Sequence, residues 1–295
     1  MNTNLRTIGF IGTGIMGKSM AGHLLKAGHP LLVYTRSANK ANELLDQGAK
    51  WCSSPVELAK QAQVIITMIG YPKDVEEVYL GENGILKHAA SGTIVIDMTT
   101  SSPELAARIA LEAKKYQIGA LDAPVTGGDI GARDAKLSIL VGGDAATYES
   151  ALPILQLMGI NIGLLGPAGS GQHGKMCNQI VTASTMMGVC EGLLYAQTAG
   201  LDANQVLKVM SSGAASGVQL NTQGPKMVKG DFAPGFMAEH FLKDLSIAIG
   251  ECERMKLHMP GLIQAKKLYT ILLEQGMGRE GFHALFKLYL NQQTH

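Results

Sequence analysis

The stretch Thr7-Ile8-Gly9-Phe10-Ile11-Gly12-Thr13-Gly14-Ile15-Met16-Gly17 decides how the rest of the chain is read. Thr7 to Ile11 is a short strand-like run that passes without a spacer into Gly-x-Gly-x-x-Gly and then into the amphipathic stretch Met16 to Ala27. In that strand–turn–helix setting the three glycines have separate roles: Gly12 permits the tight turn, Gly14 lets the backbone approach a pyrophosphate, and Gly17 lets the helix pack closely on the strand. The anion is held by the N–H groups and dipole at the start of the helix. Gly12, Thr13, Gly14, Ile15, Met16 and Gly17 are therefore read as a dinucleotide-binding turn.

Outward from this turn the same rhythm repeats. Strand-like runs at Leu31 to Tyr34, Val64 to Met68, Thr93 to Asp97, Gly119 to Asp122, Leu137 to Val141 and Ile160 to Leu165 alternate with amphipathic segments. The latter include Asn39 to Leu45, Pro103 to Tyr116 and Ala145 to Leu157. Repeated β-α-β units predict a mainly parallel, doubly wound sheet. After Gly166-Pro167-Ala168-Gly169-Ser170 the β-branched runs stop, and helices are expected near Gln172 to Ala199, Asp202 to Ser211, Val218 to Lys229, Phe241 to Lys256, Gly261 to Glu274 and Gly281 to Tyr289. The expected division is residues 1–166 for the α/β domain and 167–295 for an all-helical one.

Composition narrows the function. Lys plus Arg total 25 against 24 acids, and no basic cluster is visible, so nucleic acid and anionic lipid are poor candidates. A small ligand fits better. Cys52, Cys177, Cys190 and Cys252 are widely spaced, form no CxxC or CxxH pair, and read as buried thiols of a reducing cytoplasm. The N-terminus shows no export signal. Met176 to Gly200 is largely apolar, yet Asn178, Gln179, Glu191 and Gln197 make it a buried helix and not a membrane span.

The end of the second strand bears on the choice of dinucleotide. An NAD site usually has an acid about twenty residues past the glycines. Here Tyr34-Thr35-Arg36-Ser37-Ala38-Asn39-Lys40 precedes the first acid, Glu43. A guanidinium binds a 2′-phosphate with paired charge-assisted hydrogen bonds, while Ser37 and Lys40 add a hydroxyl and a point charge. NADP is the preferred cofactor, with NAD as the alternative if Arg36 is only a solvated strand-end residue.

Three further motifs carry chemistry. In Asp122-Ala123-Pro124-Val125-Thr126-Gly127-Gly128-Asp129-Ile130-Gly131-Ala132 a hydroxyl followed by paired glycines exposes backbone N–H groups suited to a carboxylate, although taken alone it reads equally as a tight loop. In Gly169-Ser170-Gly171-Gln172-His173-Gly174-Lys175-Met176-Cys177-Asn178-Gln179, at the domain joint, the i, i+3 spacing turns Lys175 and Asn178 to one side of a helix that has begun by Gly174. A poorly hydrated lysine exchanges a proton near neutrality, although a lysine at a helix start is by itself usually a solvated group. Lys243-Asp244, taken alone, reads as an exposed helix turn.

In order and spacing these segments closely resemble the β-hydroxyacid dehydrogenase family, which includes 3-hydroxyisobutyrate dehydrogenase, tartronate semialdehyde reductase and succinic or glyoxylic semialdehyde reductases. The resemblance covers essentially the whole chain. It implies an N-terminal Rossmann domain, an all-α C-terminal domain, a long helix joining them, and homodimers or homotetramers. It further implies that Thr126, Gly127 and Gly128 hold the substrate carboxylate, that Lys175 is the general acid/base, and that Asn178 positions the reacting oxygen. Thr100 resembles the family hydroxyl near nicotinamide and substrate, Ile69 and Gly70 match the loop lining the cofactor, and Lys243 matches the lysine reaching it from the helical domain. No metal is required by this chemistry.

The chain departs from the family pattern at Gly70, where proline is common, at Ala135, where glycine is frequent, and at Gln179, where many members have a second asparagine. Related 6-phosphogluconate dehydrogenases have a longer helical domain and a histidine in place of Asn178. Imine reductases usually lack the lysine, and dehydrogenase-like binding modules have lost it, so Lys175 favours catalysis on an oxygen substrate. The expectation is a cytoplasmic, NADP-preferring enzyme moving a hydride to or from the β-carbon oxygen of a small carboxylic acid.

Overall fold

A computed structural model describes residues 5–291, which divide into two compact units, the first running to Lys175 and the second starting at Met176. The first is built on strands β1 (Ile8–Ile11), β2 (Leu31–Tyr34), β3 (Lys50–Trp51), β4 (Val64–Thr67), β5 (Ile94–Asp97), β6 (Gly119–Asp122), β7 (Val125–Thr126), β8 (Leu137–Gly143) and β9 (Gly159–Gly166). Helices α1 (Ile15–Lys26), α2 (Asn42–Asp46), α3 (Pro55–Ala59), α4 (Pro72–Leu80), α5 (Pro103–Lys115), α6 (Gly128–Arg133) and α7 (Ala145–Leu155) connect them. The sheet order is β3-β2-β1-β4-β5-β6-β8-β7, with β9 pairing β8. Strands β1 to β6 run parallel in unbroken register, Ile8 opposite Leu31 and Val64, Val64 opposite Ile94, Ile94 opposite Gly119.

The parallel, doubly wound reading therefore holds, and its classical order reverses between β1 and β4, where dinucleotides bind in such sheets. Period-2 alternation sends Ile8, Phe10, Val33, Ile66 and Ile96 into the core on one face, and Ile11, Leu32, Ile65 and Val95 into the core on the other. Burial on both faces is why these strands are almost continuously apolar.

Several elements escape the sequence reading. β3 and β7 have two residues each and are too short to show alternation. Helices α3 and α4 each begin on a proline, at Pro55 and Pro72, and α3 is capped by Ser54, whose hydroxyl accepts from the Glu57 amide at 3.1 Å. The sheet also leaves the parallel pattern at β8, which runs antiparallel to β6 and β7 and parallel to β9.

The second unit is helical: most of α8 (Ser170–Thr198), then α9 (Ala203–Met210), α10 (Gly224–Lys229), α11 (Ala238–Arg254), α12 (Pro260–Glu274) and α13 (Leu285–Asn291). A π-helical turn, Gln219–Gln223, occupies the first half of the helix expected from Val218. Its core gathers Met186, Cys190 and Leu193 of α8 around Phe241, Leu245, Tyr269, Leu272, Phe282 and Phe286. Phe241 meets Tyr269 edge-on at 4.9 Å and Phe282 at 5.2 Å. Among the described residues no helix is long and apolar enough to cross a membrane. Cys52, Cys190 and Cys252 are buried, but Cys177 is exposed, correcting the reading of four buried thiols: its position on α8 faces outward.

Ala135 has φ +53, the left-handed region that a Cβ disfavours by about 1 kcal/mol. This is the position where glycine was noted as frequent. Ala135→Gly is expected to raise unfolding free energy by about 0.5 kcal/mol after the entropic cost of glycine is deducted, as read from urea midpoints. A lower midpoint would contradict strain at this site.

Candidate active site

The turn from β1 to α1 is shaped by close backbone approach. Gly12 has φ +100, and a Cβ there would lie 2.2 Å from the Met68 carbonyl oxygen; one on Gly17 would lie 1.9 Å from that of Gly12. Gly14, the N-cap of α1, has open space where its Cβ would be, and no side chain caps the helix. The Thr13 hydroxyl oxygen is buried without a hydrogen-bond partner among the described residues. An open glycine, an uncapped helix start and an orphaned hydroxyl suit an oxygen-rich anionic group such as a dinucleotide pyrophosphate. Beyond β2, Thr35 is half-buried, while Arg36, Ser37 and Lys40 are exposed. Arg36 pairs with Asp74, its NH1 3.6 Å from Oδ1, a partner that the sequence did not suggest.

At the ends of β4 and β5 lies a buried polar cluster. Thr67 Oγ1 donates to Asp97 Oδ1 at 2.7 Å and lies 3.0 Å from the Tyr79 hydroxyl. The Thr99 amide donates to the same Asp97 oxygen at 3.1 Å, and Thr99 Oγ1 accepts from the Ile69 amide at 3.0 Å. The loops carrying Ile69 and Thr100 are thus tied together. Burial pushes the Asp97 carboxyl up to about 6, against the lowering effect of hydrogen bonds from Thr67 and Thr99.

Because the folded protein holds this proton more tightly than the unfolded chain, Asp97's contribution to stability is greatest in acid and is lost as pH rises from about 4 through 6. Between pH 5 and 7.5 that loss is about 1 kcal/mol. Asp97→Asn does not titrate, so its stability relative to the parent should improve by that amount over the same interval. Urea melts at the two pH values test this, and a pH-independent difference would refute it.

Asp122, at the end of β6, fixes the start of α8. Its Oδ1 accepts from the Gly169 amide and its Oδ2 from the Gln172 amide, both at 2.8 Å. Burial raises its carboxyl to about 6 while these backbone N–H groups pull it down. The Gln172 side chain, fully buried, brackets Thr100: Nε2 donates to the Thr99 carbonyl at 2.8 Å and Oε1 accepts from the Ser101 amide at 2.9 Å. One turn on, Lys175 is 7% exposed and donates from Nζ to the Val125 carbonyl at 2.8 Å. The expectation of a solvated lysine, natural for the residue taken alone, is overturned. Val125 directly precedes Thr126, Gly127 and Gly128, and the two glycines have φ +129 and +65, backbone that only glycine adopts readily.

In the second unit, Asn178 Nδ2 donates to Gln179 Oε1 at 2.7 Å and to Thr182 Oγ1 at 3.4 Å. Gln179 Nε2 donates to Asp244 Oδ2 at 2.6 Å, and Lys243 Nζ lies 3.1 Å from Asp244 Oδ1. Asp244 is buried, and Lys243 is largely so. The exposed helix turn expected for an isolated Lys-Asp pair is therefore also corrected: the chain Asn178–Gln179–Asp244–Lys243 ties α8 to α11. Of the residues singled out in the sequence, the first unit brings together Ile69, Thr100, Thr126, Gly127, Gly128 and Lys175, and the second links Asn178 with Lys243. Asp74, Asp97, Asp122 and Gln172 were given no role by sequence reasoning. Asp122 and Gln172 nonetheless stood within motifs that carry chemistry.

Comparison with known proteins bears on the fold and the family. Residues 7–166 match the family described as the NAD binding domain of 6-phosphogluconate dehydrogenase. Residues 169–289 match that described as NAD-binding of NADP-dependent 3-hydroxyisobutyrate dehydrogenase. An oxidoreductase of Bacillus subtilis, YkwC, is 53% identical over 285 residues, covering 97% of this chain and 99% of the relative. The 2-hydroxy-3-oxopropionate reductase of Escherichia coli is 39% identical, covering 91% and 92%. The solved 3-hydroxyisobutyrate dehydrogenase of Mycobacterium tuberculosis, with L-serine, superposes with a TM-score of 0.87 at 29% identity, covering 97% and 99%.

Proposed function

Since the chain belongs to the β-hydroxyacid dehydrogenase family, we propose that it moves a hydride between NADP(H) and the β-carbon hydroxyl, or aldehyde, of a small carboxylic acid, with Lys175 as general acid/base. That it is an NAD(P)-dependent hydroxyacid dehydrogenase acting on CH–OH follows from the family. The observation supporting the finer reading is the buried Lys175 amine, held on the Val125 carbonyl beside Thr126, Gly127 and Gly128.

In this reading the cofactor, when bound, supplies the hydride exchange. Gly12, Thr13, Gly14, Ile15, Met16 and Gly17 hold its pyrophosphate. Thr35, Arg36, Ser37 and Lys40 read the 2′-phosphate and make NADP the preferred form. Ile69, Gly70, Thr100 and Lys243 line the nicotinamide end.

The substrate carboxylate sits on Thr126 and the N–H groups of Gly127 and Gly128. Lys175 as the free amine takes the hydroxyl proton in oxidation, and as the ammonium returns it to the developing alkoxide in reduction. Asn178 orients that oxygen, and an oxygen substrate is favoured over an imine because the lysine is present. Residues 1–166 form the NADP-binding domain and also carry the carboxylate-holding Thr126, Gly127 and Gly128, and 167–295 serve substrate selection and assembly into a homodimer or homotetramer in the cytoplasm.

A panel of glyoxylate, succinic, tartronate and methylmalonate semialdehydes, assayed with NADPH and NADH, tests the reading. Turnover of at least one of them, faster with NADPH, is expected. Activity confined to cyclic imines would overturn it.

A further inference from the structure

The guanidinium of Arg36, the proposed reader of the 2′-phosphate, is already engaged. NH1 lies 3.6 Å from Oδ1 of Asp74, in the first turn of α4. The two partners are unlike: the Arg36 side chain is 79% exposed, whereas that of Asp74 is 21% exposed. Asp74 Oδ2 is buried without a hydrogen-bond partner among the described residues. A carboxylate so placed has given up water on one oxygen and pairs with Arg36 through the other. Gly70 of the neighbouring loop stands close by, and a Cβ there would lie 3.5 Å from Oδ2, at ordinary contact distance.

We propose that Asp74 is a specificity-determining residue for the cofactor, lowering the discrimination between NADP and NAD that Arg36 alone would give. The proposal rests on the reading of Arg36 as the 2′-phosphate ligand. A phosphate reaching Arg36 must share or displace the carboxylate on NH1, and it brings negative charge beside an acid already short of partners. An adenosine ribose with a free 2′-hydroxyl brings no charge, and its hydroxyl can donate to the same carboxylate. Asp74 therefore works against the phosphorylated ribose and not against the plain one. At a partly exposed site, like-charge repulsion over a few ångströms changes affinity on the order of tenfold.

Calorimetric titration of the full-length protein with adenosine 2′,5′-bisphosphate and with 5′-AMP reads this without turnover. Asp74→Asn should tighten the bisphosphate about tenfold and leave 5′-AMP within twofold or weaker. Asp74→Ser, which also removes the charge, should shift the two ligands in the same sense, and thermal melts establish that both variants are folded. In an Arg36→Ala background the gain from Asp74→Asn should shrink below about threefold, because the competition is for that guanidinium. Unchanged bisphosphate affinity, equal tightening of both ligands, or a gain undiminished without Arg36 each overturns the role of Asp74. Arg36→Ala separates the two levels: an equal loss for both ligands removes the phosphate reading itself, whereas a selective loss of the bisphosphate with no response to Asp74→Asn removes only the Asp74 inference.

Discussion

Lys175→Ala is expected to lower kcat on the preferred semialdehyde by a hundredfold or more, while NADPH affinity stays within about threefold of the parent. The magnitude follows from removing a positioned proton donor at the reacting oxygen, an interaction realised in the transition state and absent from cofactor binding. The amine's location makes the variant informative. Nζ is anchored on the Val125 carbonyl, so alanine leaves that carbonyl without this donor, whereas the Gly12 to Gly17 turn is built on β1 and α1. Stopped-flow measurement of NADPH binding alongside steady-state turnover separates the two effects. Near-normal turnover would end the assignment of Lys175 as acid/base. A parallel collapse of NADPH binding would show that the lysine serves the fold instead.

A comparably large effect on stability is expected from Gly171→Ala. The start of α8 lies directly on the sheet: a Cβ at Gly171 would fall 2.4 Å from the carbonyl oxygens of both Asp122 and Leu140. A Cβ at Gly142 of β8 would in turn meet the Gly171 amide nitrogen at 2.6 Å. None of these atoms belongs to a flexible side-chain tip, so the helix must move or the strands must part. Overpacking of this kind costs about 3 kcal/mol, and here it also strains the bonds from Gly169 and Gln172 to Asp122. Guanidinium melts should show a midpoint lowered in proportion, and turnover should fall with it because Lys175 lies one turn further along the same helix. An unchanged midpoint would mean that the helix start is not confined as described.

Much of this was legible in the residues. Strands such as β1, β4 and β5, buried on both faces, write a continuous apolar signature, and the glycine spacing after β1 has one economical structural meaning. Lys175 and Thr126 to Gly128 were visible as residue types suited to their chemistry. Their proximity was not, because it depends on Asp122 holding the amides of Gly169 and Gln172 across nearly fifty residues. Gln172 looked like any polar residue at a helix start; only the fold shows its amide bracketing Thr100. Asp74 was hidden for a related reason. Nothing in Pro72-Lys73-Asp74 indicates that α4 begins beside the end of β2. The burial of Lys243 and Asp244 likewise depended on Gln179, a partner on another helix.

That last link constrains how the sequence can drift. Gln179 spans α8 to α11 with an amide nitrogen 2.6 Å from Asp244 and an amide oxygen 2.7 Å from Asn178. A side chain one methylene shorter would lose reach towards the neighbouring helix and strand a buried acid. Positions 179 and 244 are thus expected to covary in descendants of this protein, with neither exchanged until the other has already been accommodated.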